Sequence, residues 1–461
     1  MSFEPIYITR RSALRAGAGA AAVLGVGAGQ VAAAGGASAT SIDPTDTSFI
    51  MSCDDWGARP PAFPLSTRTG STRRIVVHHM AFPNTMDFSM EAAIACAERV
   101  QHIHMDLNGW SDTGNHFSIS RGGYVMEGRH GSLDALEDGG YQIVSAHAVG
   151  QNTQSIGIEN EGTYIDELPT GKLWWSLVKL CTTICTQYGF GAQNITGHWD
   201  WNNTQCPGAK FYSTFPLLRL HVAKRLGQDP ASIPARTWPD TFTSCAGATV
   251  RTLQHLLNTQ GFNLKADGAF GSGTLAAVRA FQTAHGFPTA SDGTMTGPTW
   301  EALAPEIGMG DTGSAVLAVQ SILASKLYDL KVSGTFDRQT WVAVAKLQAL
   351  HGIRVTGRVD LSTWCAALGG VVEENFRGLK GQAGLESTAT AEDSLVLPDF
   401  EALPPVVVPE GVVAADAVET QFEEVPVDQD VQFTATSARR WAPSSAGSRS
   451  TWATTVFSPT S

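Results

Sequence analysis

The sequence predicts a mixed α/β domain, followed by two small all-α three-helix repeats and a disordered tail. Three observations carry that prediction. Strand-like and helix-like segments alternate between residues 54 and 226, the pattern of a mixed central sheet flanked by helices. From residue 246 a helical pattern recurs at an offset of 66, as in stacked copies of one supersecondary unit. Beyond residue 371 no period is sustained, and Pro404, Pro405 and Pro409 interrupt a largely acidic stretch, the composition of a segment without a packed core. The chain therefore divides into an N-terminal segment at 1–39, the mixed-sheet domain at 50–227, a linker at 228–245, repeats at 246–305 and 306–370, and the tail at 371–461.

Composition narrows the class. A chain of 461 residues exceeds one ordinary core, so several domains are expected. A formal net charge of −12 argues against nucleic acid or an anionic membrane surface as a partner. Thr9-Arg10-Arg11-Ser12-Ala13-Leu14-Arg15 is a twin-arginine pattern, followed by an Ala/Gly-rich apolar run to residue 34 and small-x-small cleavage sites at 32–34 and 37–39. A membrane helix is the other reading of that run, and its glycines and weak hydrophobicity argue against it. The expectation is export of a folded, monomeric protein to the cell wall or medium, with no membrane insertion after signal removal. Seven cysteines are an odd number for an exported chain, and their pairing stays open.

Taken in order, Trp56-Gly57-Ala58-Arg59 is a turn leading to a first strand at 73–79, and apolar spacing over 88–108 predicts a helix ending near Asn108-Gly109. Asn115 to Arg129 alternates around Gly122-Gly123, a β-hairpin signal. Ser155-Ile156-Gly157-Ile158-Glu159 reads as a further strand, and helices are expected over 171–189 and 209–226.

Arg74-Ile75-Val76-Val77-His78-His79 is a buried-strand pattern that ends in two imidazoles. A histidine at a strand end is commonly a satisfied buried polar residue, so this stretch alone leaves that reading open beside a metal ligand. Downstream, His198 and Cys206 flank a short loop, a spacing that suits two ligands of one Zn²⁺. Two histidines and a cysteine leave a fourth position for water, as in catalytic rather than closed structural sites. Glu159 lies on the strand face opposite Ile156 and Ile158, with Gly157 beside it leaving room for an approaching group. It reads either as a solvated outward position or as a carboxylate for water activation.

In the repeats, Gln254, Gly268, Phe270, Thr274, Val278 and Gln282 align with Gln320, Gly334, Phe336, Thr340, Val344 and Gln348. The apolar members and the paired Trp300 and Trp364 read first as the core of each three-helix unit.

Trp56-Gly57-Ala58-Arg59, Val77-His78-His79, Gly114-Asn115-His116-Phe117, Gly123 to Arg129, Ala146-His147-Ala148, Ser155 to Glu159 and Gly197-His198…Gln205-Cys206-Pro207-Gly208 occur in one order. In that order they resemble the N-acetylmuramoyl-L-alanine amidase type 2 family, which includes bacterial wall amidases and peptidoglycan recognition proteins. The resemblance covers about residues 54–226. It implies one Zn²⁺ per domain, held by His78, His198 and Cys206. It also implies hydrolysis of the amide joining the lactyl group of N-acetylmuramic acid to L-alanine, with glycan strands and stem peptides as partners. Many members carry a tyrosine where Asn115 stands, others a glutamate that matches Glu159, and some a lysine where Thr204 stands. These departures assign the proton chemistry to Glu159 and leave Thr204 or His147 as the oxyanion donor, with His79 a neighbour of the site. The repeats resemble the peptidoglycan-binding domain found beside wall hydrolases; both copies bind, or the second serves as a packing partner. A non-catalytic recognition protein is the rival reading; loss of the cysteine ligand marks that class, and this chain retains Cys206.

Overall fold

The structure, a computed structural model, describes residues 45–373 apart from 71, 203, 230, 231, 244, 327 and 329. The expected signal segment and all but the first residues of the expected tail lie outside the described residues. The first domain runs β1 (Ile50–Met51), α1 (Cys53–Trp56), β2 (Thr67–Thr69), β3 (Arg74–His79), α2 (Met90–His102), β4 (Phe117–Ile119), β5 (Val125–Glu127), α3 (Ser132–Asp138), β6 (Tyr141–Ile143), β7 (Ser155–Asn160), α4 (Gly171–Tyr188), β8 (Ile195–Gly197), α5 (Ala209–Tyr212) and α6 (Phe215–Arg225). After β9 (Arg236–Thr237) come α7 (Ala248–Thr259), α8 (Ser272–Ala284), α9 (Gly297–Leu303), α10 (Ser314–Ala324), α11 (Arg338–Leu350), α12 (Leu361–Ala367) and β10 (Val371–Val372).

The expected fold class is the observed one: a mixed six-stranded sheet in the order β1-β5-β4-β7-β3-β8, flanked by helices, and then a helical region. Only β4 and β5 pair antiparallel in it, as the hairpin pattern predicts; β4, β7, β3 and β8 are parallel neighbours. Parallel strands are buried on both faces, and all six residues of β3 are buried. Ile75, Val77, Ile156, Ile158 and Ile195 pack against α4 and α6 on one face. By the two-residue alternation of a strand, His78, Gly157 and Glu159 occupy the other.

Local signals set the helix ends. Thr170 caps α4 by accepting from the Leu173 amide, and Gly189 ends it in the left-handed conformation at φ +72. Cys181 and Cys185 pack into the core from this helix. All seven cysteines are described, and none forms a disulfide. The single helix expected over 209–226 is two, because Pro216 opens α6 as a new helix. The helix expected over 88–108 passes from α2 into one π-helical turn at Ile103–Leu107. There the buried His104 accepts from the Gly114 amide, so it is a packing residue.

The helical region is built on one device, complete at three glutamines and present in its donor half at a fourth. The buried Gln254 side chain accepts from the Gly268 amide and donates to Ala269 O and Thr274 Oγ1. Gln320 does the same for the turn at Gly334 and for Thr340. Gln348 serves Gly357, Arg358 O and Thr363, and Gln282 donates to Thr294 O and Thr299. The glycines of the four turns are left-handed, with φ between +68 and +80, a region glycine enters without strain. Each repeat is thus two half-units. Val250, Leu253 and Leu257 of α7 meet Val316, Val319 and Leu323 of α10 in one shared core.

Candidate active site

Three parallel strands deliver the site at their C-terminal ends, where ligands of open α/β sheets gather. His78 on β3 pairs in register with Glu159 on β7, and Val77 pairs with Gly197, which directly precedes His198. The candidate ligand atoms of His78, His198 and Cys206 all lie within 4.8 Å of one another. The His78 and His198 rings are tilted, 4.4 Å between centroids. Trp199 N donates to Cys206 O at 2.9 Å, which joins the two segments that carry His198 and Cys206.

The tautomer of His78 follows from a chain of bonds that ends on a carbonyl. Ser155 Oγ donates to Gln151 O at 2.8 Å, so at 3.2 Å it accepts from His147 Nε2. His147 Nδ1 is then the acceptor for His78 Nε2 at 3.0 Å. His78 Nδ1 is left as a bare lone pair, 3.7 Å from Glu159 Oε1. Burial, with His198 and His147 close by, holds His78 well below its ordinary range, and burial lowers His198 to about 4. Both are neutral, the form that binds a metal.

Glu159 is 16% exposed, yet its Oε2 is buried with no hydrogen-bond partner. Burial pushes its carboxyl up to about 8. A buried carboxylate oxygen without a donor requires an explanation, and a cation beside Oε1 and Nδ1 supplies one. Two neutral imidazoles, a thiol and that carboxylate are the donor chemistry of Zn²⁺, so these residues fit the ion.

The other predicted residues surround this centre in distinct ways. Gly157 was expected to leave room for an approaching group. That room is filled, since a Cβ there would lie 2.4 Å from the His147 ring. The glycine leaves the space that the His147 ring occupies, edge-on to the His78 ring. His79 turns away: its Nδ1 accepts from Tyr164 N at 3.2 Å, while its own amide donates to Cys206 Sγ at 3.3 Å. Cys206 Sγ also reaches His79 O at 3.7 Å, so the two residues are joined at both backbone groups of His79. Asn115 is buried, with Nδ2 donating to Phe117 O and Ser118 Oγ and with Oδ1 unpartnered. Ser118 pairs in register with Glu159, which places Asn115 on the side of the sheet that carries the site. Thr204 Oγ1 accepts from Cys206 N at 3.1 Å and supports the ligand loop. Missed in the sequence are Ser155, which fixes the tautomers, and Asp200, whose Oδ2 accepts from Gly197 N at 2.7 Å.

A mixed sheet with a His-His-Cys cluster and a buried carboxylate at its strand ends makes a candidate metal site, and sequence comparisons carry this to a family. A family profile described as N-acetylmuramoyl-L-alanine amidase matches residues 68–209, and one described as a peptidoglycan binding domain matches 246–303 and 312–366. A peptidoglycan recognition protein of Trichoplusia ni is 30% identical over 169 residues, 36% of this chain and 84% of that protein. Peptidoglycan-recognition protein LB of Drosophila melanogaster is 27% identical over 172 residues, 37% of this chain and 69% of that protein. The human N-acetylmuramoyl-L-alanine amidase is 28% identical over 183 residues, 36% of this chain and 29% of that protein. The chain belongs to the family of N-acetylmuramoyl-L-alanine amidases and peptidoglycan recognition proteins, and it carries a peptidoglycan-binding repeat pair beside that domain.

Proposed function

We propose that the chain is an exported, zinc-dependent N-acetylmuramoyl-L-alanine amidase, and that it separates stem peptides from the glycan strands of peptidoglycan. The observation that carries this reading is the convergence of His78, His198 and Cys206 beside the unpartnered carboxylate of Glu159. A recognition protein that only binds needs neither the thiol nor a carboxylate on that face. The twin-arginine pattern and the wall-binding repeats support action outside the cytoplasm.

His78 Nδ1, His198 and Cys206 would hold the ion. Bound there, it supplies Lewis acidity that lowers the pKa of water from about 15.7 towards about 7. Glu159 takes a proton from the attacking water as the new C–O bond forms at the lactyl carbonyl. It then returns that proton to the L-alanine nitrogen as the C–N bond breaks. The products are a lactyl carboxylate on the glycan and a stem peptide with a free amino terminus. His147 and Ser155 keep the proton of His78 on Nε2 throughout. Thr204 and the His79 amide hold the Cys206 loop.

Digesting purified peptidoglycan and identifying the products by mass spectrometry tests the reading. Free stem peptides beginning at L-alanine are expected, absent with a chelator and in Cys206→Ser. Retention of the protein on intact sacculi, with no peptide released, would instead make it a recognition protein.

A further inference from the structure

The second helical repeat is seated on the loop that carries His198. Resting on the reading of His78, His198 and Cys206 as a zinc centre, we infer that this repeat positions the centre, acting through Lys326 and His351 on Asp200. Asp200 follows His198 by two residues in a short 3₁₀ turn. Lys326, just after α10, donates from Nζ to Asp200 O at 2.8 Å. The Asp200 carboxylate accepts from the Tyr212 hydroxyl at 2.8 Å, and that hydroxyl meets His351 Nδ1, just after α11, at 3.1 Å. His351 Nε2 stands 3.8 Å from Asp200 Oδ1. Since the other carboxylate oxygen holds Gly197 N, the residues on both sides of His198 are fixed through Asp200.

Three further features show that this contact is built rather than incidental. Lys326 is only 5% exposed, and a buried ammonium is tolerated only where its charge and donors are answered. A repeat that swung free as a wall-binding arm would leave Lys326 in water and Asp200 O without its donor. At Gly369 a Cβ would lie 2.9 Å from Asp200 O and 3.0 Å from the Trp201 ring, so the end of the repeat closes on this loop where a side chain would prevent it. Trp201 is itself held, with Nε1 donating to Thr196 Oγ1 and the Arg74 guanidinium 4.5 Å over its ring. Because Trp199 N bonds Cys206 O, anchoring the turn also sets the distance between two of the three candidate ligands. Groups that orient metal ligands from behind typically change affinity by about 10–100-fold when removed.

The test uses the full chain with Lys326→Met and His351→Phe. The control is Gln282→Ala, which damages the first repeat without touching Asp200. Three readouts apply: zinc affinity by competition with a chromogenic chelator, the visible spectrum of the Co²⁺-loaded protein, and kcat and KM on a soluble muropeptide too small to need wall anchoring. Lys326→Met and His351→Phe should each weaken zinc binding by about tenfold or more, shift the cobalt–thiolate bands, and lower kcat more than they raise KM. Gln282→Ala should lower the melting temperature and leave affinity and spectrum unchanged. Folded variants that match the wild type in affinity and spectrum would overturn the inference and reduce the contact to interdomain packing. If Lys326→Met does not fold, His351→Gln carries the same comparison. A wild-type chain that binds no zinc would sink the zinc reading and the inference with it, an outcome distinct from variants that match a zinc-binding wild type.

Discussion

At the residue scale the proposed proton chemistry rests on Glu159. Glu159→Gln keeps the shape of the side chain and removes its ability to take a proton. It should retain metal and lose about 10²–10⁴-fold in kcat, measured by release of new amino termini from peptidoglycan. Burial places this carboxyl at about 8 in the folded chain, against an ordinary 4.5, and a raised carboxyl favours the protonated fold. In metal-free protein its contribution to stability is therefore fully present below about pH 4.5 and is lost as pH rises through about 8. The neighbouring imidazoles of His78 and His198 are lowered instead, so their contribution is present above about 6.5 and is lost as pH falls. Denaturation midpoints of metal-free wild type minus Glu159→Gln, taken across pH 5–9, should isolate the carboxylate as a falling line. A difference that stays flat would mean that Glu159 is solvated. The sequence made the candidate ligands and this carboxylate legible, because a strand that ends in His78 and a loop from His198 to Cys206 carry their own spacing. It did not reveal that His147 occupies the space above Gly157. That contact joins a loop to a strand, and no periodicity encodes it.

At the scale of elements, the four glutamines show what a repeat offset reveals and conceals. The offset of 66 aligned Gln254 with Gln320 and Gln282 with Gln348. It did not show that Gln348 does the job of Gln254 and Gln320 while Gln282 keeps only its donor half, because the half-units differ in length. The Gly-x-Phe of two turns becomes Gly293-Thr294-Met295 and Gly357-Arg358-Val359 in the others. Gln348→Ala would strand the buried Gly357 amide and remove the bonds to the Thr356 amide and the Arg358 carbonyl. Since an unsatisfied buried group costs about 1–3 kcal/mol, a loss of about 1–3 kcal/mol is expected by urea denaturation. Gln→Ala at an exposed position such as Gln260 should change stability by less than about 0.5 kcal/mol. Strands were read more faithfully than helix ends. The break before Pro216 and the π turn after His102 both override smooth apolar spacing, the first through proline geometry and the second through the burial of His104.

At the scale of the whole molecule, the chain after α12 returns to the segment that leads into the helical region. β10 pairs antiparallel with β9, and Glu373 follows it to meet Arg219 of α6 at 3.1 Å, both buried. Arg219 also donates to Ile195 O at the start of β8, so the end of the helical region clasps the sheet edge beside His198. Glu373→Ala would leave the Arg219 guanidinium buried without its carboxylate, which should cost about 3 kcal/mol and lower the melting temperature of the full chain. If the temperature is unchanged, the clasp adds nothing to stability. None of this closure was legible in the sequence, because Arg219, Asp200, Lys326, His351 and Glu373 meet only after two domains have formed.

We propose that one zinc ion at His78, His198 and Cys206 makes this chain an amidase. The direct measurement is to strip the metal with a chelator, return zinc in steps, and follow bound metal together with the L-alanine amino termini released from peptidoglycan. Hydrolysis should rise in proportion to bound zinc and level off at one ion per chain, and Cys206→Ser should regain none of it. Full hydrolysis by the stripped protein, or by Cys206→Ser, would rule out zinc at these residues as the source of the activity.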